Sequence, residues 1–202
     1  MDEIETNVDK PPEQEIISPT KNPNRCIVLI LCIITTIAYH YCMALPSPLE
    51  SYFYESDVFN LDHTQYQLFY TSFNLPAIIV TLIGGVLCDK YGISFCRLIF
   101  VFISCIGQSL IVFGCWYKLF SLMIIGRVFY GIGSNCYGLS TNALLTNYFL
   151  NAESFFSLAI HIAFGKITIS LTYWIIPIIM DKQLNKGINV LFLITFFMLS
   201  GL

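Results

Sequence analysis

Five long apolar stretches, separated by short polar segments, dominate this sequence and restrict what it can fold into. They lie at about 26–45, 65–87, 97–116, 119–144 and 154–177. A transmembrane α-helix needs about 20 mainly apolar residues, and each stretch reaches that length. Only 11% of the residues are charged, whereas soluble domains carry about 25%. The sequence therefore predicts an all-α, multi-pass membrane protein that is embedded in a lipid bilayer.

The two ends of the chain differ from this apolar middle. Residues 1–24 are polar, acidic and rich in proline, which predicts a disordered cytosolic tail. A sixth apolar segment begins near residue 188 and runs only to residue 202, which is short of a full membrane span. We therefore expect residues 25–202 to form a six-helix transmembrane bundle that is truncated within its sixth helix, at 188–202.

The distribution of lysine and arginine predicts the orientation, because these residues accumulate on the cytosolic side of membrane proteins. With the N-terminus in the cytosol, five of them lie in cytosolic segments and three in outer loops: Lys10, Lys21, Arg25, Lys90 and Arg97 against Lys118, Lys182 and Lys186. The first outer loop, residues 46–64, is acidic and has neither lysine nor arginine. Both observations predict a cytosolic N-terminus.

The segment between the second and third stretches reads LIGGVLCDKYGISF. We expect Gly85 to let a neighbouring helix approach closely, and Gly92 to allow a sharp reversal of the chain. Asp89 needs a partner, such as Lys90, Arg97 or the positive end of a helix. The alternative interpretation is an ordinary short loop that contains a helix-ending glycine.

The pattern Gly-x-x-x-Asp-Lys-x-Gly between two apolar helices resembles the signature loop of the major facilitator superfamily. The resemblance implies that the chain is the N-terminal six-helix bundle of a twelve-helix fold, whose two halves rock about a central cavity. It also implies that Gly85, Asp89, Lys90 and Gly92 form a conformational latch against the C-terminal half, which is missing from this sequence.

Polar residues inside the apolar stretches mark candidate functional sites, because they are costly in a bilayer. Arg127 lies in the fourth stretch within GRVFYGIG, and its planar guanidinium suits a carboxylate. The motif is similar to a second superfamily motif, in which glycines follow an arginine. The glycines leave room for a partner helix or a ligand. The alternative is an arginine that is satisfied by backbone carbonyls at a helix-packing site.

Four more residues complete the predicted substrate-binding set: Asn135, Lys166, Tyr39 and His40. Asn135 lies eight positions after Arg127, within roughly 80° of it on the helix surface. Lys166 must face a wet cavity or a partner, since a bare ammonium at the bilayer centre costs roughly 2.5–3.5 kcal/mol. Tyr39 offers a cation–π contact to an ammonium. For His161, a further membrane histidine, hydrogen-bonded packing is the simpler interpretation.

Several stretches between residues 26 and 165 are similar to the lysosomal dipeptide transporter branch of the superfamily: 41–46, 68–76, 105–108, 126–133 and 148–153. The resemblance implies uniport of dipeptides or related compounds across the lysosomal membrane by alternating access. It also implies a glycosylated accessory subunit and a homodimer as partners. Ala44, Asn135 and Phe164 stand where the family pattern has charged residues that hold the termini of a peptide.

Other functional classes explain less of the sequence. The chain has no basic run for nucleic acid, no nucleophile–base pattern of an enzyme and no metal-ligand spacing of cysteines, so we expect no cofactor and no metal. The eight cysteines are expected to be free thiols. The main alternative is a non-transporting membrane adaptor, a remnant half-transporter that binds a partner membrane protein. A seven-helix receptor leaves the Gly-x-x-x-Asp-Lys-x-Gly segment unexplained.

Overall fold

The computed structural model of the chain describes residues 24–55, 62–149 and 151–182, and nearly all of them are helical. These residues form five long helices and one short one: α1 Arg25–Ala44, α2 Glu50–Glu55, α3 His63–Tyr91, α4 Ile93–Tyr117, α5 Phe120–Tyr148 and α6 Asn151–Lys182. The five long helices correspond to the five predicted stretches. The predicted sixth helix at 188–202 lies outside the described residues, as does the predicted tail apart from Asn24.

Four of the described helices are long and apolar enough to cross a membrane: α1, α3, α4 and residues 152–178 of α6. Helix α5 has the length, at 29 residues, but its polar side chains lower its hydropathy. Several of them, including Arg127, Ser140 and Thr141, are buried inside the bundle. The prediction of an all-α membrane protein is confirmed, whereas the count of six membrane helices stays a prediction.

Gly92 alone separates α3 from α4. Its φ is +89°, a conformation that glycine adopts without steric cost. Each helix extends four residues beyond its predicted bound, so the predicted loop is wrong, and Asp89 and Lys90 lie in the last turn of α3. A helix of 29 residues is about 43 Å long, whereas the hydrocarbon core is about 30 Å thick. The end of α3 therefore reaches the polar interface, where charged side chains are tolerated.

Small residues bring α4 and α5 into backbone contact. A Cβ atom added to Gly126 would lie 2.8 Å from the carbonyl oxygen of Gly107 and 2.8 Å from the backbone nitrogen of Ile111. A Cβ atom added to Gly133 would lie at least as close to the Ser104 side chain and to the backbone of Phe100 and Ser104. Separations this short exclude any side chain, so these positions set the distance between the two helices.

Helix α5 also packs closely on α3. Gly131 faces the backbone carbonyl of Phe73, and a Cβ atom added to Gly84 would lie 2.6 Å from Sγ of Cys136. An added Cβ atom on Gly85 would make only an ordinary contact of 3.9 Å with a leucine side chain. The prediction that Gly85 admits the neighbouring helix is therefore wrong. Adjacent helix positions point about 100° apart, and Gly84 is the one that allows the close approach.

Helices α1 and α6 run in the same direction and pack in register. Near their starts, Nη1 of Arg25 lies 3.7 Å from Oε2 of Glu153. About three turns further on, Oγ1 of Thr36 and Nε2 of His161 lie 2.6 Å apart. Helix α5 contacts α1 and α6 as well as α3 and α4. It therefore connects the α1–α6 pair to the α3–α4 pair.

The short helix α2 covers one end of α3. Phe53 stacks on Phe69 with ring centroids 5.5 Å apart, and both pack with the buried ring of Tyr66. The Tyr66 hydroxyl donates to the carbonyl oxygen of Pro46, which follows α1, at 3.0 Å. These contacts join the α1–α2 connection to the first turns of α3.

Candidate solute-binding site

Arg127 is buried in α5 without a counter-ion. Its residue is only 4% exposed. Among residues 24–55, 62–149 and 151–182, no carboxylate oxygen lies within 4.0 Å of its guanidinium, and its buried Nε has no hydrogen-bond partner. The predicted alternative, satisfaction by backbone carbonyls, is therefore not realised at Nε. A buried charge without a partner is strongly destabilising. The described residues do not compensate the charge of the Arg127 guanidinium.

Among the described residues, neutral side chains lie at the level of Arg127. Tyr130 follows it by three residues on α5, and Sγ of Cys115 lies 4.0 Å from Sδ of Met123, one turn before Arg127. Neutral acceptors form weaker hydrogen bonds to a cation than carboxylates do. The surroundings of Arg127 therefore keep a surplus of positive charge, which suits an anionic ligand.

The glycines around Arg127 serve helix packing. Gly126 and Gly133 face α4, and Gly131 faces α3. Of the two predicted uses of these glycines, room for a partner helix or room for a ligand, the structure shows the first. A solute that reaches Arg127 must therefore approach along another side of α5.

Asn135 lies two turns beyond Arg127 on α5 and is half-buried. Its Nδ2 donates to the carbonyl oxygen of Gly131 at 2.9 Å and lies 3.4 Å from Oγ of Ser134, so the amide is turned back onto its own helix. The spacing of eight residues corresponds to about 12 Å along the axis. The structure therefore does not bring Asn135 and Arg127 together at one point.

His40 and Lys166 form a second polar group, on the α1–α6 pair. Nδ1 of His40 donates to the carbonyl oxygen of Thr36 at 3.0 Å, and the imidazole packs against Gly165. Lys166 is exposed and lies close enough to His40 to interact electrostatically with it. The predicted set thus falls into two groups, one at Arg127 and the other at His40 and Lys166.

Tyr39 is buried by the packing of α1 on α5. Its ring lies 5.6 Å from that of Tyr130 and 5.2 Å from that of Tyr137. It borders a cavity of about 10 Å³, which is space for one water molecule at most. The structure therefore gives Tyr39 a packing role in place of the predicted contact with a solute, because neighbouring aromatic rings cover both of its sides.

Two residues at these sites are absent from the sequence prediction. Thr36 bridges the two membrane histidines, through its hydroxyl to His161 and its carbonyl to His40. Tyr70 lies on α3 about one turn before Phe73, whose backbone contacts Gly131 of α5. Thr36 and Tyr70 both lie among other polar residues of their helices, and only the rotation of each helix about its axis decides what they face. For His161, the hydrogen bond from Thr36 agrees with the packing role that the sequence favoured.

Three of the predicted latch residues, Asp89, Lys90 and Gly92, lie exposed at the end of α3, and Gly85 is partly buried further back in the helix. Within the described ranges, Asp89 makes no ion pair. Nζ of Lys90 lies 5.5 Å from the ring centre of Tyr91, and the guanidinium carbon of Arg97 lies 5.6 Å from that of Tyr137. Both cations are positioned over aromatic rings. Neither cation pairs with Asp89 within the described residues, and the third predicted partner, the positive end of a helix, stays a prediction.

A family model describes most of this helical chain. The model of the Major Facilitator Superfamily matches residues 27–201. The chain belongs to the major facilitator superfamily. The resemblance to this superfamily, inferred from the Gly-x-x-x-Asp-Lys-x-Gly segment, is thereby confirmed.

Curated relatives of this superfamily member include lysosomal dipeptide transporters. The lysosomal dipeptide transporter MFSD1 of Mus musculus is 27% identical over 139 residues, which are 68% of this chain and 30% of the relative. The protein of that name from Danio rerio is 27% identical over 157 residues, 75% of this chain and 33% of the relative. The chain thus spans about a third of these relatives, and the predicted resemblance to them is confirmed. No solved structure matches the chain.

Proposed function

We propose that this chain forms part of a transporter that moves a small organic solute with a carboxylate group, such as a dipeptide, across the lysosomal membrane. Membership in the superfamily supports transport, and the names of the relatives support a dipeptide. The observation that carries the proposal is that Arg127 is buried and has no carboxylate partner among the described residues. The function requires binding and a change of conformation, and it involves no covalent chemistry.

A carboxylate fits Arg127 on geometric and electrostatic grounds. The guanidinium is a planar fork that pairs with both oxygens of a carboxylate, and it stays protonated in proteins. A bound anion would compensate the charge that the neighbouring tyrosines and cysteines leave uncompensated. Lys166 adds a second cation on α6, which reaches the same solute only if a water-filled cavity connects the two groups.

Transport would proceed by alternating access. In this proposal a second six-helix half completes a central cavity lined by α1, α3, α5 and α6, and the two halves rock about the bound solute. The N-terminus lies in the cytosol, and labelling of the exposed Cys26 by impermeant thiol reagents from that side alone would support this orientation. An accessory subunit and a homodimer remain proposals that rest on the family resemblance.

Substitution of Arg127 tests the site directly. In the full-length protein, Arg127→Ala should lower the uptake of a dipeptide such as alanylalanine by about 30-fold or more, since removing one member of a buried charge pair costs about 2–5 kcal/mol. Arg127→Lys should not restore uptake, because a point charge lacks the fork geometry. Lys166→Ala is the matched control on α6, and it should be milder.

The measurement is uptake into proteoliposomes, divided by the amount of folded transporter. If Arg127 only ties α5 to its neighbours, Arg127→Ala would reduce expression and thermal stability but leave uptake per folded molecule normal. Normal uptake per folded molecule would discard Arg127 as a binding residue, and with it the main support for an anionic solute.

A further inference from the structure

Tyr70 stands beside Arg127 at the same level of the bundle. Helices α3 and α5 run in the same direction, because each is antiparallel to α4, and they touch where Gly131 faces the backbone of Phe73. Tyr70 lies about one turn before Phe73, and Arg127 lies about one turn before Gly131. Tyr70 is partly exposed, whereas Arg127 is buried.

The hydrogen bonds of Tyr66 fix the direction of the Tyr70 hydroxyl. Tyr66 lies 3.0 Å from the carbonyl oxygen of Pro46 and 3.2 Å from the Tyr70 hydroxyl. A carbonyl only accepts, and each phenol has a single proton. Both contacts are hydrogen bonds only when Tyr66 donates to Pro46 and Tyr70 donates to Tyr66. The oxygen of Tyr70 then has no proton left for a third group and serves that group as an acceptor.

Tyr130, three residues after Arg127 on α5, differs from Tyr70 in its exposure. Its hydroxyl donates to the carbonyl oxygen of Tyr39 at 2.7 Å, so its oxygen is also left as an acceptor toward the guanidinium. Tyr130 is 0% exposed, whereas Tyr70 is partly exposed. Of these two acceptor oxygens, that of Tyr70 is therefore the more accessible.

We propose that Tyr70 accepts a hydrogen bond from the ammonium group of a solute whose carboxylate is held by Arg127, and thereby selects zwitterions over simple carboxylates. The inference rests on the proposed function of Arg127. The two termini of a dipeptide lie at most about 7 Å apart along the backbone, so an acceptor at the level of Arg127 is favoured. Asn135 lies about 12 Å further along α5, which makes it the poorer candidate.

Two solutes that differ only in the ammonium group test this role. Alanylalanine carries the ammonium, and propionylalanine has a hydrogen atom in its place. In the full-length protein in proteoliposomes, Tyr70→Phe should raise the KM for alanylalanine about tenfold, the scale expected for a hydrogen bond to a charged group, and leave the KM for propionylalanine unchanged. Arg127→Ala should impair both solutes equally, which separates a failure of this inference from a failure of the proposed function.

Tyr66→Phe is the matched control, since it removes a hydroxyl from the same chain of hydrogen bonds but leaves the Tyr70 oxygen in place. It should keep most of the preference for alanylalanine. An equal loss of both solutes in Tyr70→Phe, or no loss of either, overturns the proposal. If Tyr70→Phe does not fold, the KM values of the unmodified protein for the two solutes test the proposal. Equal KM values are incompatible with an ammonium acceptor and overturn it.

Discussion

Helices α5 and α6 have similar lengths but differ in how many large apolar side chains they leave exposed. Helix α5 buries glycines, serines and Arg127 against α3 and α4. Helix α6 leaves large apolar residues such as Phe155 and Trp174 exposed. The apolar helix α6 meets the hydropathy requirement of a membrane span, and α5 does not. In this pair, the more apolar helix α6 leaves more large side chains exposed, and α5, with its small and polar residues, is the more enclosed by its neighbours.

The contacts that hold the two helices also differ. Lipid tails are as apolar as leucine, so helices in a bilayer associate through close packing and hydrogen bonds. Helix α5 uses backbone-to-backbone contact at its glycines. Helix α6 meets α1 through side chains, with a hydrogen bond at Thr36 and a ring contact at His40. Backbone contacts cannot relax without moving a helix, whereas side chains can rotate.

The largest expected effect on stability is therefore that of Gly131→Ala in α5. An added methyl group would collide with the backbone of Phe73, and overpacking of this kind costs about 1–3 kcal/mol. Gly165→Ala in α6 should cost less, because its added Cβ atom would lie 2.8 Å from Cε1 of the His40 ring, which can turn away. Thermal or detergent unfolding of the purified protein in micelles measures the difference.

Gly138→Ala serves as the control within α5. No heavy atom lies within 4 Å of a Cβ atom added at Gly138, so the methyl group adds no clash, and alanine is the better helix former by about 1 kcal/mol. This variant should be as stable as the unmodified protein or slightly more so. If Gly131→Ala were equally stable, the close approach of α3 and α5 would not be what holds α5 in place.

Sequence alone was informative where a pattern has one physical meaning. Five apolar stretches predicted the five long helices, and the position of Gly92 predicted the reversal between α3 and α4. The glycines after Arg127 indicated close packing of α5. The sequence did not show whether these glycines contact a helix or a ligand, because glycine makes room for either one.

The sequence did not predict which residues face a neighbouring helix, because this depends on the rotation of each helix about its axis. Gly84 and Gly85 are adjacent and chemically identical, yet only Gly84 makes a close approach. Tyr39 and Tyr70 are both tyrosines in largely apolar helices, yet Tyr39 is buried and Tyr70 is partly exposed. Rotation about the helix axis is set by the neighbouring helices, and no local residue pattern specifies it. The separation of Arg127 from His40 and Lys166 has the same origin.

Thr36→Val tests the side-chain contact between α1 and α6, and its expected effect is smaller. The change keeps the volume but leaves the buried His161 without its partner at Nε2. An interhelical hydrogen bond in a membrane is worth about 0.6–1.7 kcal/mol, and unfolding free energy should fall by that amount. Thr168→Val on α6 is the control, since its hydroxyl bonds only within its own helix. Equal losses for the two variants would mean that the Thr36–His161 bond does not stabilise the pair.

Asp89→Asn should have the smallest effect on stability and the most selective effect on transport. Asp89 is exposed at the end of α3 and makes no ion pair within the described residues, so unfolding free energy should change by less than about 0.5 kcal/mol. If the carboxylate binds the second half in one conformation, its loss shifts that equilibrium by about 1–3 kcal/mol and lowers uptake. Uptake per folded molecule and conformational trapping by cross-linking measure this shift.

Glu153→Gln is the matched change at the start of α6. Its carboxylate is 71% exposed and lies 3.7 Å from Arg25, a surface ion pair worth about 0–1 kcal/mol. Both variants remove an exposed carboxylate at a helix end, but Glu153 has its partner inside this half of the protein. A loss of uptake confined to Asp89→Asn therefore requires a partner of Asp89 beyond the described residues, whereas unchanged uptake and trapping in both variants would remove the latch function.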